Sequence, residues 1–336
     1  MKGQIVAAAA VAFGAAALFT GAGEASNTCN FTMSGSTMLL NGDCTTTETI
    51  YVPDGVTLDG QGHSITALDP FEGAVVENEA GAVEMHVTRL VVAADLPQGC
   101  RADLEGVRFL GASGSVSHST VADITQDSGC QTGVGIVARN EGTTVEESVS
   151  ISHSVIENYG KGGIACIGSG SCTIEHNVIT ESADQDRLGA NSVQFSLGAG
   201  GSLRFNHIGG NQWLGDSAYA ATAVLAFESD DVLIANNNIG GNSDVAVYVY
   251  GDDAATVDNN RIFERSPDDG YYPVNYGVEW GLLDVGSGNV MTNNKVRGYE
   301  IPAASSPDDG DISGTRVVAE GEAPSASDWC PANVCD

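Results

Sequence analysis

The chain has 336 residues and carries 44 Asp and Glu against 13 Lys and Arg, a formal net charge of −31. That balance repels nucleic acid and anionic membranes, and it repels anionic polysaccharides unless a cation bridges them. The length allows one large domain or two ordinary ones.

The elements follow in chain order. Lys2 precedes an apolar run over residues 5–19, and Gly23-Glu24-Ala25 supplies a small-x-small cleavage site. Residues 1–25 therefore read as a secretory signal cut near Ala25, and a secreted, extracellular protein is expected. The run is too short and too Ala-rich for a membrane anchor, and no later run could span a bilayer. Eight Cys remain, and export makes disulfides their default state. Their spacing pairs Cys29 with Cys44, Cys166 with Cys172 and Cys330 with Cys335, which leaves Cys100 with Cys130. The tight C-x-x-C pairs that zinc would need are absent.

From residue 45 onward a local pattern recurs. Val121, Ile156, Ile179, Ile208, Ile239, Ile262 and Val296 each follow, by two positions, Ser119, Ser154, Asn177, Asn206, Asn237, Asn260 and Asn294. Five positions before each stands another apolar residue, from Val116 to Met291, and the residue between is mostly polar. Leu90 with Met85, and Ile65, extend the series towards the N-terminus. Variable spacing around a fixed pattern means a stacked repeat whose insertions are loops. Short alternating runs rich in Val and Ile are strands, so each unit reads strand, Asn corner, strand. The Asn is expected to take the left-handed backbone of the corner and to bond amides above and below it. Third strands are expected at 133–139, 163–167, 192–197, 223–227, 245–250 and 277–280. One coil is then three short strands, and like strands stack about 4.8 Å apart. Cys100 and Cys130 fall at similar places in adjacent coils, where a staple fits.

These corner repeats, with Gly55-Val-Thr-Leu-Asp-Gly-Gln-Gly-His-Ser-Ile-Thr66 as a first coil, resemble the right-handed parallel β-helix proteins of the pectin-lyase-like class. The resemblance spans about residues 45–300. It implies an all-β solenoid of three sheets and about 8–10 coils. Residues 26–44 would form an N-terminal cap, 45–300 the helix, and 301–336 an irregular tail or cap. It also implies a substrate groove along the third strand, so an extracellular polysaccharide is the expected partner, to be bound and, if the chain is an enzyme, cleaved by hydrolase or lyase chemistry. A non-enzymatic surface or structural β-helix is the alternative. A monomer is expected.

Alternation turns Val245, Val247 and Val249 inward and Tyr248 and Tyr250 outward; by the same count Gln194, Ser196, Arg139 and Glu279 face out, with Glu228 at a strand end. Long loops on either side, carrying Trp213, Tyr271 and Tyr272, would wall a notch over the tyrosines. Aromatics with carboxylates suit a glycan, although the same tyrosines could simply cover a sheet. Hydrolysis needs two carboxylates, for which Glu279 with Asp268 or Asp269 is the expected pair. Arg265-Ser-Pro267 resembles part of the Arg-x-Pro-x-x-Arg motif of pectate lyases, but Gly270 stands where the second Arg belongs. The motifs of polygalacturonases are absent. Asp268 and Asp269 could instead offer oxygens to calcium, or merely form an acidic turn. His118, His153 and His176 precede the anchors by three positions and are expected to point inward as a structural ladder rather than to bind metal.

Overall fold

Strands of two to nine residues cannot hold themselves together, and their inward side chains need a shared core. Stacking supplies both. The computed structural model describes residues 27–127, 130–140, 147–180, 182, 189–213, 220–264, 279–305 and 334–335. Their strands form three sheets of 11, 11 and 10 members. The first sheet holds the strands before the corner, such as Gly200–Arg204, and the second those after it, such as His207–Gly209. The third holds the strands that close each coil, such as Thr222–Phe227. Each strand pairs in parallel with its counterpart one coil on. The exception is the opening hairpin, where Phe31–Ser34 runs antiparallel to Thr37–Leu40. The Cys29–Cys44 disulfide ties this hairpin to the first strand of the second sheet.

The anchors fall in one column, from Val121 through Ile156, Ile179, Ile208, Ile239 and Ile262 to Val296. Beside them the five Asn form a continuous ladder. The Oδ1 of Asn206 accepts the backbone N–H of Asn177 at 2.9 Å and its Nδ2 at 3.1 Å. The Nδ2 of Asn206 donates to the Ile174 carbonyl at 2.9 Å and to the Asn237 Oδ1 at 3.0 Å. The same bonds link Asn237 to Asn260 and Asn260 to Asn294. All five side chains are buried.

Three details differ from the sequence reading. In the coil before Val121 the anchor is Val92, not Leu90; Ile65 pairs with Val92 in turn. Leu90 instead occupies the ladder position, where its N–H reaches the Ser119 Oγ, so an apolar side chain ends the polar column. The left-handed residue of each corner is not the ladder Asn but the one before it: His118, His153, His176, Phe205, Asn236, Asn259 and Asn293 all have φ between 50° and 59°. With that backbone their side chains turn outward, so the three His are exposed rather than inward. They do form a ladder, with ring centroids 5.1 and 5.2 Å apart, and Phe205 continues it. The last expected third strand, 277–280, is described from Trp280 onward as Trp280–Ser287, and residues 277 and 278 lie outside the described residues.

The disulfides Cys29–Cys44, Cys100–Cys130 and Cys166–Cys172 are as expected, and Cys330 lies outside the described residues. Residues 1–25, the expected signal, also lie outside them. Among the described residues no helix is long and apolar enough to cross a membrane.

Replacing Asn206 by Ala strands a backbone N–H, two carbonyls and two neighbouring amides in the dry corner. We expect a loss of about 3 kcal/mol in chemical denaturation. Asn238→Ala, at a half-buried position on the adjacent strand and outside the ladder, should cost no more than about 0.5 kcal/mol.

Candidate functional site

In the third sheet the period of two sends alternate residues outward, and parallel register lines them up in columns. One outward column runs Glu77, Arg108, Val137, Ala165, Gln194, Leu225, Tyr248, Leu283. The next runs Leu110, Arg139, Ile167, Ser196, Phe227, Tyr250, Val285. Together they make a strip whose two ends differ in chemistry.

At the C-terminal end the strip is aromatic. The Phe227 and Tyr250 rings stack with centroids 5.1 Å apart and 5° between planes, and Tyr248 meets Tyr250 edge-on at 6.0 Å. Val285 follows Tyr250 in register and is much shorter, and Tyr250 remains 38% exposed. Glu228, exposed at the strand end, takes the Tyr250 carbonyl on its backbone N–H at 2.8 Å. Gln194 is half-buried and bonded to Asn191 and Ser196.

At the N-terminal end the strip is ionic. Arg108 donates through Nη2 to Glu77 Oε2 at 2.8 Å and lies 3.1 Å through Nη1 from Glu105 Oε2. Arg139, one coil on, stands 3.9 Å from Glu105 Oε1. Burial pushes the Glu105 carboxyl up to about 7, against the opposing pull of Arg108 and Arg139. The exposed Asp103 raises it further. Arg139 also lines a small depression of about 10 Å³, room for about one water, with Asn140, Glu147, Ile167 and the Cys166–Cys172 disulfide. Five coils separate the Glu105 strand from the Tyr248 strand, roughly 24 Å at the usual strand spacing.

The structure keeps Tyr248 and Tyr250 on this face as expected, but moves two other residues off it. Glu279 is 3% exposed and lies just before the strand that Trp280 opens, Trp280 pairing with Val245. Glu279 therefore sits at the corner between the second and third sheets, where Gln212 Nε2 donates to its Oε1 at 3.4 Å. Burial there, with the charges of Glu264 and Glu279, pushes the Tyr299 hydroxyl up. Trp213 is buried too; its backbone N–H bonds the Asp244 carboxylate, so its ring does not wall a notch. Ser196 faces the strip but is covered. Arg265, Asp268, Asp269, Tyr271 and Tyr272 lie outside the described residues, and with them the calcium proposal. Among the described residues no group of three or more His, Cys, Asp or Glu could hold a metal ion.

Sequence reasoning missed Glu77, Glu105 and Arg108. Glu105 and Arg108 stand three apart, but Glu77 and Arg139 are 31 positions from Arg108 in either direction, and only the register brings them together. The available signal was the scarcity of cations: a strand that spends an Arg on its outer face in so acidic a chain is unusual.

A family model for the right-handed β-helix region matches residues 105–306. The chain belongs to the right-handed β-helix family. Among solved structures, the Dettilon tailspike protein is similar over 89% of this chain and 61% of its own, with 12% identity and a TM-score of 0.53. The enzymatically active domain of Bacteriophage CBA120 tailspike protein 2 is similar over 81% of this chain and 39% of its own, with 7% identity and a TM-score of 0.51. The chain thus spans less than two thirds of either tailspike, and the likeness is one of β-helix fold. No curated protein matches the sequence.

A carboxyl held near 7 in the fold but near 4.5 when unfolded stabilises the protein at low pH only. That contribution is complete below about 4.5 and is lost as pH rises through about 7. Glu105→Gln removes it. Urea unfolding at several pH values should show wild type losing up to ~3 kcal/mol relative to this variant between these limits.

Proposed function

We propose that this β-helix protein binds an extracellular glycan along the outer face of its third sheet. The observation that carries the reading is the aromatic group of Phe227, Tyr248 and Tyr250, held in register on that face with Tyr250 open to solvent. A pyranose ring offers a flat apolar face of C–H groups bordered by hydroxyls. Aromatic rings cover the first, and polar neighbours such as Gln194 and Glu228 answer the second. A rigid sheet suits the task because the rings lose little freedom on binding. The exported setting read from residues 1–25 agrees with such a ligand.

Cleavage is a further step that this reading does not require. Glu228 is exposed at the strand end beside the tyrosines, and Glu279 is buried at a corner. The activity of the tailspike domain belongs to a longer protein of 7% identity.

The test is binding of neutral oligosaccharides on an array, followed by calorimetry with the best of them. Tyr248→Ala with Tyr250→Ala should weaken binding about tenfold or more, as loss of a central aromatic anchor does. Unchanged affinity would remove the aromatic face as the site. Silence from the whole array, with the fold intact, would favour a non-enzymatic surface or structural protein.

A further inference from the structure

We infer that the outer face of the second sheet, near its C-terminal end, is a separate site for an acidic sugar, with Phe263 as the stacking platform and Arg261, Lys295 and Arg297 as the cations that hold the anionic group. The site lies on a different sheet from the aromatic group above, so it goes beyond the glycan reading and does not depend on it.

The platform follows from register. In the second sheet the residues on either side of each buried anchor point outward. In three consecutive coils these are Asn238 and Gly240, Arg261 and Phe263, and Lys295 and Arg297. Pairing sets Arg261 beside Lys295, and Phe263 between Gly240 and Arg297. The phenyl ring and the three cations therefore spring from the corners of a rectangle about 5 Å by about 7 Å, the strand spacing and the two-residue repeat. Gly240 decides how the ring lies. A Cβ built on it would stand 2.6 Å from both Cε atoms of Phe263 and only slightly nearer to Cζ. A point beyond the tip of the ring would be much nearer to Cζ than to either Cε, so the ring lies with one face down on the glycine. Phe263 is still 38% exposed, so its other face is turned to solvent. An open ring face of this kind is what the apolar C–H side of a pyranose covers.

The cations are concentrated and uncompensated on this face. The chain has 13 Lys and Arg, and three of them meet here, all exposed. No acidic residue points outward from these three strands. Asp258 lies across the corner, where Thr292 Oγ1 and Asn293 Nδ2 each donate to it at 2.8 Å, and Glu264 is buried. Arg89, Arg101, Arg108 and Arg139 each stand against a carboxylate. Among the described residues no carboxylate lies within ion-pair distance of Arg261 or Arg297. Residues 334–335 continue the sheet beside Lys295 and Val296. Salt screens charges further off than about 8–10 Å, so the local excess governs an anion that reaches the ring even though the whole chain is acidic. A guanidinium fork takes the paired oxygens of a carboxylate or a sulfate. Both arginines stand one position from Phe263, along the strand or across it, so one sugar residue meets ring and cation together. Three charges are too few for a nucleic acid, whose affinity rests on many phosphate contacts.

The experiment titrates the full chain by calorimetry with a neutral tetrasaccharide, its uronate counterpart and its sulfated counterpart. At least one acidic ligand should outbind the neutral one, and its affinity should fall about tenfold between about 0.05 M and about 0.5 M salt. Arg261→Gln and Arg297→Gln should each weaken it about tenfold. Phe263→Ala should weaken it about fivefold. Gly240→Ala removes no contact to the ligand but lifts the ring from its seat, and should weaken binding as Phe263→Ala does. Whether uronate or sulfate binds identifies the source of the anion. The inference is overturned if neither acidic ligand outbinds the neutral one, if the arginine variants leave affinity unchanged, or if the loss follows Tyr248→Ala with Tyr250→Ala instead of Phe263→Ala. Sedimentation that shifts from oligomer to monomer in the arginine variants would give the face to a second copy and overturn it as well. Neutral-sugar binding that depends on Tyr250 would leave the glycan reading standing in each of those cases, and acidic-sugar binding that depends on Phe263 stands even if that reading fails.

Discussion

The side-chain amide of asparagine at the corner is the interaction on which the rest depends. Where the chain bends between the first and second sheets, its N–H and C=O groups point along the stack with no strand to receive them. Buried and unpaired, each would cost about 1–3 kcal/mol. The carboxamide meets both needs at once. In Asn206 the oxygen takes the N–H of the coil behind it, and the nitrogen takes a carbonyl of that coil and the amide oxygen of the coil ahead. Ser119 and Ser154 do the same with less, since a hydroxyl supplies one oxygen and one proton; each accepts from the preceding coil and donates to a carbonyl of its own strand. The ladder grows more complete from N- to C-terminus and stops at Leu90, where an apolar residue takes the place.

A corner held this way sets the register of everything after it. Because each coil is pinned to the next, the third sheet repeats in step although its loops vary in length. Outward side chains then become columns. The Phe227–Tyr250 stack and the Glu77–Arg108 pair are the same geometric event, two side chains one coil apart, expressed in aromatic and in ionic chemistry. So is the exposed row of His118, His153 and His176 at the corner. Such columns need no loop to organise them, and a rigid array is what long extended ligands require.

The electrostatics of the strip are set by where the few cations fall. On solvated surface, charges further apart than about 8–10 Å are largely screened by salt. Arg108 and Arg139 sit instead over covered carboxyls, where a lower dielectric makes each charge count. The raised pKa of Glu105 shows that burial outweighs the attraction of both arginines. That surplus is what leaves the carboxyl able to change state near neutral pH.

By itself the sequence determined the coil. The period of the corner pattern, the inward valines and isoleucines, three disulfides and the outward tyrosines were legible, because each depends on residues close in the chain or on a repeat that any coil must obey. Only the tertiary structure decided the neighbours across coils. Glu279 lies buried just before Trp280–Ser287 rather than on the open face, and a two-residue difference put Val92 rather than Leu90 into the anchor column. Glu77, Arg108, Glu105 and Arg139 meet because intervening loops of different length still return the chain to the same register. Local pattern is set by side-chain chemistry, whereas contact between coils is set by how many residues each loop spends before the next corner.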